Sequence, residues 1–242
     1  MAIVEDLEAE QDRLEAILAG LDEAQWAAPS AAAGWTVSDV VLHLAQGEEA
    51  VTASAAGVRL RSGPGASVDE IMNELVQAER AATAAGIFRR WREGRAAALA
   101  ALRAADPQQP LPWVEAPLKP ATLATTRLAE HWAHGLDITR PLGIDFPDTG
   151  RLRHVAWLAH RTLPYALALG RGQRCDVFCE LDAPDGTDRW RFGPAGADSS
   201  IAGPAGAFCR VAAQRLAPEE SGLRVQGPHG AAALRVLRTY AA

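Results

Sequence analysis

Lysine is almost missing from this chain: of its 24 basic residues, Lys119 alone is lysine and the rest are arginine. Paired with abundant alanine, this usage marks a GC-rich genome and carries no functional message. Basic charge is also in deficit. Thirty acidic residues leave a net charge of -6, and a surface that grips phosphates needs clustered Lys and Arg. Nucleic acid is therefore excluded as a partner. No run approaches the roughly 20 apolar residues needed to cross a bilayer, so the sequence predicts no membrane partner. The first twenty residues alternate acidic and apolar side chains and lack the basic start and apolar middle of a signal peptide. Cysteine is sparse: Cys175, Cys179 and Cys209 are an odd number with no disulfide framework. These absences together predict a reduced, cytoplasmic protein.

What is present is enough apolar material, 48% of 242 residues, for one large domain or two small ones. Residues 3–19 carry Ile3, Leu7, Leu14, Ile17 and Leu18 near helical spacing, with Gly20 as a stop. Pro29 and Gly34 break the chain. Thr36 and Asp39 form a capping signature that opens a second helix at Val37. The Gly- and Pro-containing stretch 58–66 reads as a loop. Ser67 with Glu70 then opens a third helix, expected to run unbroken to about Ala104. A Pro-rich connector at 106–120 precedes a fourth helix over about 121–139, ended by Pro141, and a fifth spans about 149–169. Helices of these lengths predict an antiparallel bundle over 1–170.

The pattern changes near Arg171 to Arg174. CDVFCEL and DRWRFGP are short β-prone runs around a turn, and so predict a hairpin. GPAGAFCRVAAQRL reads as a helix, GLRVQG as a strand and the last fifteen residues as a helix. Residues 171–242 are thus expected to form a small α+β domain. The overall class is α with an appended α/β-mixed unit.

Glu130 and His134 lie four apart on the fourth helix, on one face and one turn apart. A carboxylate and an imidazole so placed are able to share a metal, although such spacing also occurs in solvated pairs. The third ligand must come from another helix, and His43, beside Val40 and Leu44 on the second, is the candidate. Two His and one Glu leave positions open, as in catalytic rather than structural zinc sites. Iron, nickel or manganese would suit the same donors. Asp137 is placed to hold the imidazole of His134 from behind. His131 is offset by about 100° from Glu130 and falls off that face. His154, His160 and His229 have no partner at ligand spacing. Cys175, Cys179 and Cys209 read as buried small hydrophobes. The seven tryptophans read mostly as packing anchors, with Trp113 in the connector as a pocket-lining alternative.

GWTVSDVVLHL followed about ninety residues later by RLAEHWAHGLDI resembles the mycothiol-dependent maleylpyruvate isomerase family, part of the DinB-like bundle superfamily. The shared pattern is Trp-Thr-x-x-Asp-x-x-x-His (Trp35, Thr36, Asp39, His43) and a distant Glu-x-x-x-His (Glu130, His134). DRWRFGP, IAGPAGAFCRVAAQR and LRVQG resemble that family's small C-terminal domain. The resemblance implies a DinB-like bundle and one divalent metal, zinc in the isomerase, held by His43, Glu130 and His134. It also implies a mycothiol-like thiol cosubstrate and a small-molecule substrate. Arg215 matches a family arginine facing the cleft; its guanidinium would hold a substrate carboxylate. Isomerase or thiol transferase, a thiol-independent metal enzyme, and a non-catalytic binding protein all stay open at this point, as does the choice between monomer and homodimer.

Overall fold

The computed structural model describes residues 2–58, 67–114, 116–169 and 175–239. The stretch expected as a loop at 58–66 lies outside them beyond Val58, and so does the boundary expected at 171–174. The chain divides into two compact units, the first ending at Phe146 and the second beginning at Pro147.

The first unit holds α1 (Ala2–Leu18), α2 (Glu23–Ala27), α3 (Val37–Ala55), α4 (Val68–Glu79), α5 (Ala84–Ala104) and α6 (Pro120–Leu142). α3 lies chiefly along α5 and α1 along α6, while α3 and α6 meet over a shorter line. The core of this bundle is built from Leu14, Leu18, Val37, Val41, Leu44, Trp91 and Ile138, apolar positions at helical spacing on their inward faces. α2 is absent from the sequence expectations. It is one short turn system, opened by a capping box between Asp22 and Gln25.

The long third helix expected over 68–104 is two helices. Thr83 starts α5 by accepting a hydrogen bond from the Gly86 N–H (3.2 Å). The chain between them turns at Glu79–Ala82. The break carries no Pro or Gly, which is why periodicity runs through it. It is held by Arg80, which turns back to give two hydrogen bonds to Asp39 (2.9 and 2.8 Å) and one to the Gly34 carbonyl (2.7 Å). The fourth helix also departs from expectation. Pro141 lies inside its last turn, and the helix closes on Gly143 in the left-handed conformation (φ 66°). Proline has no N–H to offer the carbonyl four residues back. That carbonyl, of Asp137, instead accepts from the Ala31 N–H (2.8 Å).

The second unit holds α7 (Leu152–Leu169), β1 (Val177–Asp182), β2 (Arg189–Phe192), β3 (Ser199–Pro204), α8 (Ala205–Ala212), β4 (Arg224–Gln226) and α9 (Gly230–Val236). The sequence places α7 with the bundle, but its buried face packs on α8 and α9. The sheet order is β2-β1-β3-β4. β1 and β2 form the expected antiparallel hairpin, with Leu181 opposite Trp190. β3 was not expected, because Ser-Ser-Ile-Ala-Gly-Pro has little β-propensity. It pairs parallel to β1, with Cys179 opposite Ile201, and buries Ser199, Ile201 and Gly203 on alternate positions. Among the described residues no helix is long and apolar enough to cross a membrane.

Thr36 and Asp39 cap each other reciprocally at the start of α3. Replacing Thr36 by Ala should destabilise the protein by about 1 kcal/mol in equilibrium denaturation. Burial raises the Asp39 carboxyl, but hydrogen bonds from Arg80 and Thr36 outweigh it and hold it below its ordinary value of 3.8. A depressed carboxyl adds stability that is full above that ordinary value and is lost as the pH falls below it. The stability gap between the native protein and Asp39→Asn should therefore be wide at pH 7 and narrow at pH 3, as read by urea unfolding.

Candidate metal centre

The capping box fixes where α3 begins, and so fixes which residues two turns later face α6. His43 is one of them, at 8% exposure. On α6, Glu130 and His134 point the same way. His43 Nε2 lies 3.5 Å from Glu130 Oε2, and His134 Nε2 lies 3.4 Å from the same oxygen. The three ligand atoms all lie within 4.8 Å of one another, and this is the candidate metal-holding group found among the described residues.

These separations test the fit of a metal. They are longer than a good N–H···O hydrogen bond, whose usual length is about 2.9–3.0 Å. Two donors each about 2.1 Å from a tetrahedral zinc stand roughly 3.4 Å apart. The protonation preferences of Glu130 and His43 also suit a cation. Burial raises the Glu130 carboxyl, but the facing imidazoles of His134 and His43 outweigh it and hold it well below the usual carboxylate range. Burial pushes His43 down, toward the neutral form that ligates. For His134 burial acts in the same sense, but the carboxylates of Asp137 and Glu130 win and raise it. The residues fit a divalent metal with two nitrogens and one oxygen.

His134 is oriented from behind, as the spacing predicts: its Nδ1–H donates to Asp137 Oδ2 at 2.9 Å. His43 has no such support; its Nδ1 is buried and makes no hydrogen bond among the described residues. A ring does the orienting instead. Trp35 packs 5.2 Å from the His43 ring and 6.4 Å from that of His134, nearly parallel to the latter at 24°. Trp35 is held by its Nε1–H, which donates to Asn73 of α4 (3.0 Å). The loop that carries it is pinned to α6 by the Ala31 bond to the Asp137 carbonyl. Pro141 thus frees the backbone group that seats the Trp35 loop beside the ligands, which the sequence shows only as a helix stop.

His131 belongs to a different structure. It is fully buried; its Nδ1–H donates to the Arg127 carbonyl (2.8 Å) and its Nε2 accepts from Trp91 Nε1 (3.2 Å). Both nitrogens are used, and burial with the nearby Arg127 charge pushes its pKa down to about 3. It is a neutral clamp between α5 and α6. The buried ion pair of Arg127 with Glu48 beside it (3.0 Å) went unread in the sequence, because two residues so far apart share no spacing signal.

Arg215 lies in the second unit, in the turn after α8, which stops short of the helix expected over GPAGAFCRVAAQRL. α8 closes at Ala212, and Arg215 Nη1 donates to the Ala213 carbonyl (2.5 Å). Trp113 sits in a connector closed by paired hydrogen bonds between Leu111 and Leu118. The Pro112 carbonyl there accepts from Ser54, near the far end of α3 from His43. Trp157 is 39% exposed and is no packing anchor. Cys179 and Cys209 are buried and Cys175 is half-buried; burial pushes the Cys179 thiol up to about 12, so it is unreactive.

The profile of the mycothiol maleylpyruvate isomerase N-terminal domain matches residues 7–139, a span that includes His43, Glu130 and His134. The chain belongs to the mycothiol-dependent maleylpyruvate isomerase family. Two uncharacterized proteins of Mycobacterium tuberculosis, from strains CDC 1551 / Oshkosh and ATCC 25618 / H37Rv, are each 33% identical to it over 244 residues, covering 98% of this chain and 95% of theirs. In fold it is similar to the crystal structure of a mycothiol-dependent maleylpyruvate isomerase, with a TM-score of 0.64, 17% identity, and coverage of 94% of this chain and 95% of that one. A histidine-to-alanine mutant of such an isomerase is similar to the same extent, with a TM-score of 0.63 and 17% identity. The DinB-like helical fold with a small C-terminal mixed sheet is thereby shared across nearly the whole chain.

The two neighbouring histidines of α6 should respond differently to replacement. His131→Ala should lower stability by about 2–3 kcal/mol, since it strands Trp91 Nε1 and leaves a void, without changing Zn²⁺ binding by the folded protein. His134→Ala should abolish Zn²⁺ binding, and it too should lower stability, because it strands the buried Asp137 carboxylate. Metal content by mass spectrometry beside thermal unfolding separates the two.

Proposed function

We propose that His43, Glu130 and His134 hold one divalent metal, zinc foremost, and that the protein is a metal-dependent enzyme of the maleylpyruvate isomerase type. The observation that carries this reading is the single Glu130 oxygen standing 3.4 and 3.5 Å from two buried imidazole nitrogens. The family supports a mycothiol-like thiol as cosubstrate and a small unsaturated or carboxylate-bearing molecule as substrate. A metal bound here with open positions supplies Lewis acidity, polarising a carbonyl or carboxylate and favouring the thiolate form of a thiol.

The chain's own residues set the conditions for that chemistry. Glu130 is the more open ligand, with 32% of its side chain exposed against 10% and 11% for His43 and His134, so access is from its side. Asp137 keeps the Nδ1 proton on His134 and leaves Nε2 as the ligating nitrogen. Trp35 walls the imidazoles with an apolar face and keeps water from their flank. Arg215 is the proposed partner of a substrate carboxylate, on the family resemblance and on the bidentate chemistry of guanidinium.

Elemental analysis should find about one metal per chain, lost on chelation and restored with Zn²⁺. A chain that stays metal-free after incubation with zinc would end this reading. Turnover of maleylpyruvate should require mycothiol. Metal-dependent turnover without any thiol would move the protein to the thiol-independent class, and metal binding without turnover to a binding role. Arg215→Lys should raise KM for a carboxylate substrate and leave metal content unchanged.

A further inference from the structure

One turn below the metal ligands, α3 and α6 meet through a polar joint. Arg127 of α6 and Glu48 of α3 are both buried, and Arg127 Nε donates to Glu48 Oε1 at 3.0 Å. A buried ion pair is weak support for stability; an apolar pair of equal volume serves as well or better. Its geometry is specific, however. Gly47 lies one turn after His43 on α3. A Cβ there would stand 2.5 Å from Arg127 Nη2, 2.8 Å from Cζ and 2.9 Å from Nη1. The guanidinium is therefore seated flat against backbone, in the notch left by the missing side chain. It is buried and tied to Glu48 through Nε.

On α6, Arg127 precedes Glu130 by three residues and His134 by seven, so all three share one face. The same turn is tied to α5, because the Arg127 carbonyl holds His131 and His131 holds Trp91. The stretch of helix that presents Glu130 is thus fixed against α3 and α5 at once.

We propose that Gly47 and Arg127 are positioning residues for the metal centre. The guanidinium seated on Gly47 sets how closely α6 approaches α3, and so sets the distance from His43 to Glu130 and His134. This rests on the metal reading above. The family pattern of Trp35, Thr36, Asp39, His43, Glu130 and His134 includes neither residue.

The test is a double-mutant cycle on the full chain, stripped of metal. Zn²⁺ affinity is read by chelator competition, ligand geometry by the Co²⁺ absorption spectrum, and fold by thermal unfolding of the apo-protein. Gly47→Ala should weaken Zn²⁺ binding about tenfold or more, the range seen when supports of metal ligands are altered, and shift the Co²⁺ spectrum. Ala is the better helix former, which favours a folded variant. Arg127→Lys keeps the charge opposite Glu48 but loses the planar group, and should weaken binding several-fold. In the Gly47→Ala/Arg127→Lys pair the clash is gone, so binding should be no weaker than with Arg127→Lys alone. A folded Gly47→Ala protein with native Zn²⁺ affinity overturns the proposal, as do losses that simply multiply. Should Gly47→Ala fail to fold, unchanged affinity in Arg127→Lys overturns it and weakened affinity with an altered Co²⁺ spectrum supports it. A native protein that binds no Zn²⁺ fails the metal reading itself, a result distinct from both.

Discussion

A carboxylate set between two buried imidazoles is the interaction on which the first unit turns. Glu130 has its Oε2 within 3.5 Å of both ring nitrogens, and such a cluster is costly to bury unless its charge is matched. Each ion taken out of water costs several kcal/mol, and only close, well-oriented partners offset it. The arrangement therefore has to be held from outside by Asp137 behind His134, by the Trp35 ring against both imidazoles, and by the helices that carry them. A bundle that merely buried apolar faces would have no reason to hold two side chains of α6 and one of α3 at such separations.

Two irregularities in the helices serve this arrangement. Pro141 removes one backbone hydrogen bond from the last turn of α6, and the released Asp137 carbonyl accepts from Ala31. The residue whose side chain orients His134 thus also docks, through its backbone, the loop that ends in Trp35. The break between α4 and α5 lets Arg80 return to Asp39 and Gly34, while Asn73 of α4 takes the Trp35 indole. Local departures from helical geometry supply groups that an uninterrupted helix keeps to itself.

Much of the site was legible in the residues. The capping signature at Thr36 and Asp39 placed the start of α3, and helical spacing put Glu130, His134 and Asp137 on one face while moving His131 off it. The elements that escaped had weak local signals. β3 is made of small residues and is a strand because β1 and β4 flank it with hydrogen-bonding edges. The break at Arg80–Thr83 lies among alanines, the best helix formers, so only the contacts of Arg80 reveal it. α7 has the length and apolar face of a bundle helix, and nothing local tells which neighbours it packs on.

What the sequence determined by itself is therefore the set of candidate donors and the faces they occupy, since helical period and capping chemistry act within a few residues. The tertiary structure decided which of those faces meet. His43 reaches Glu130 across 87 positions of chain, Arg127 rests on Gly47, and His131 is spent on Trp91. Contacts of that kind depend on how helices pack in three dimensions, and no local periodicity encodes them.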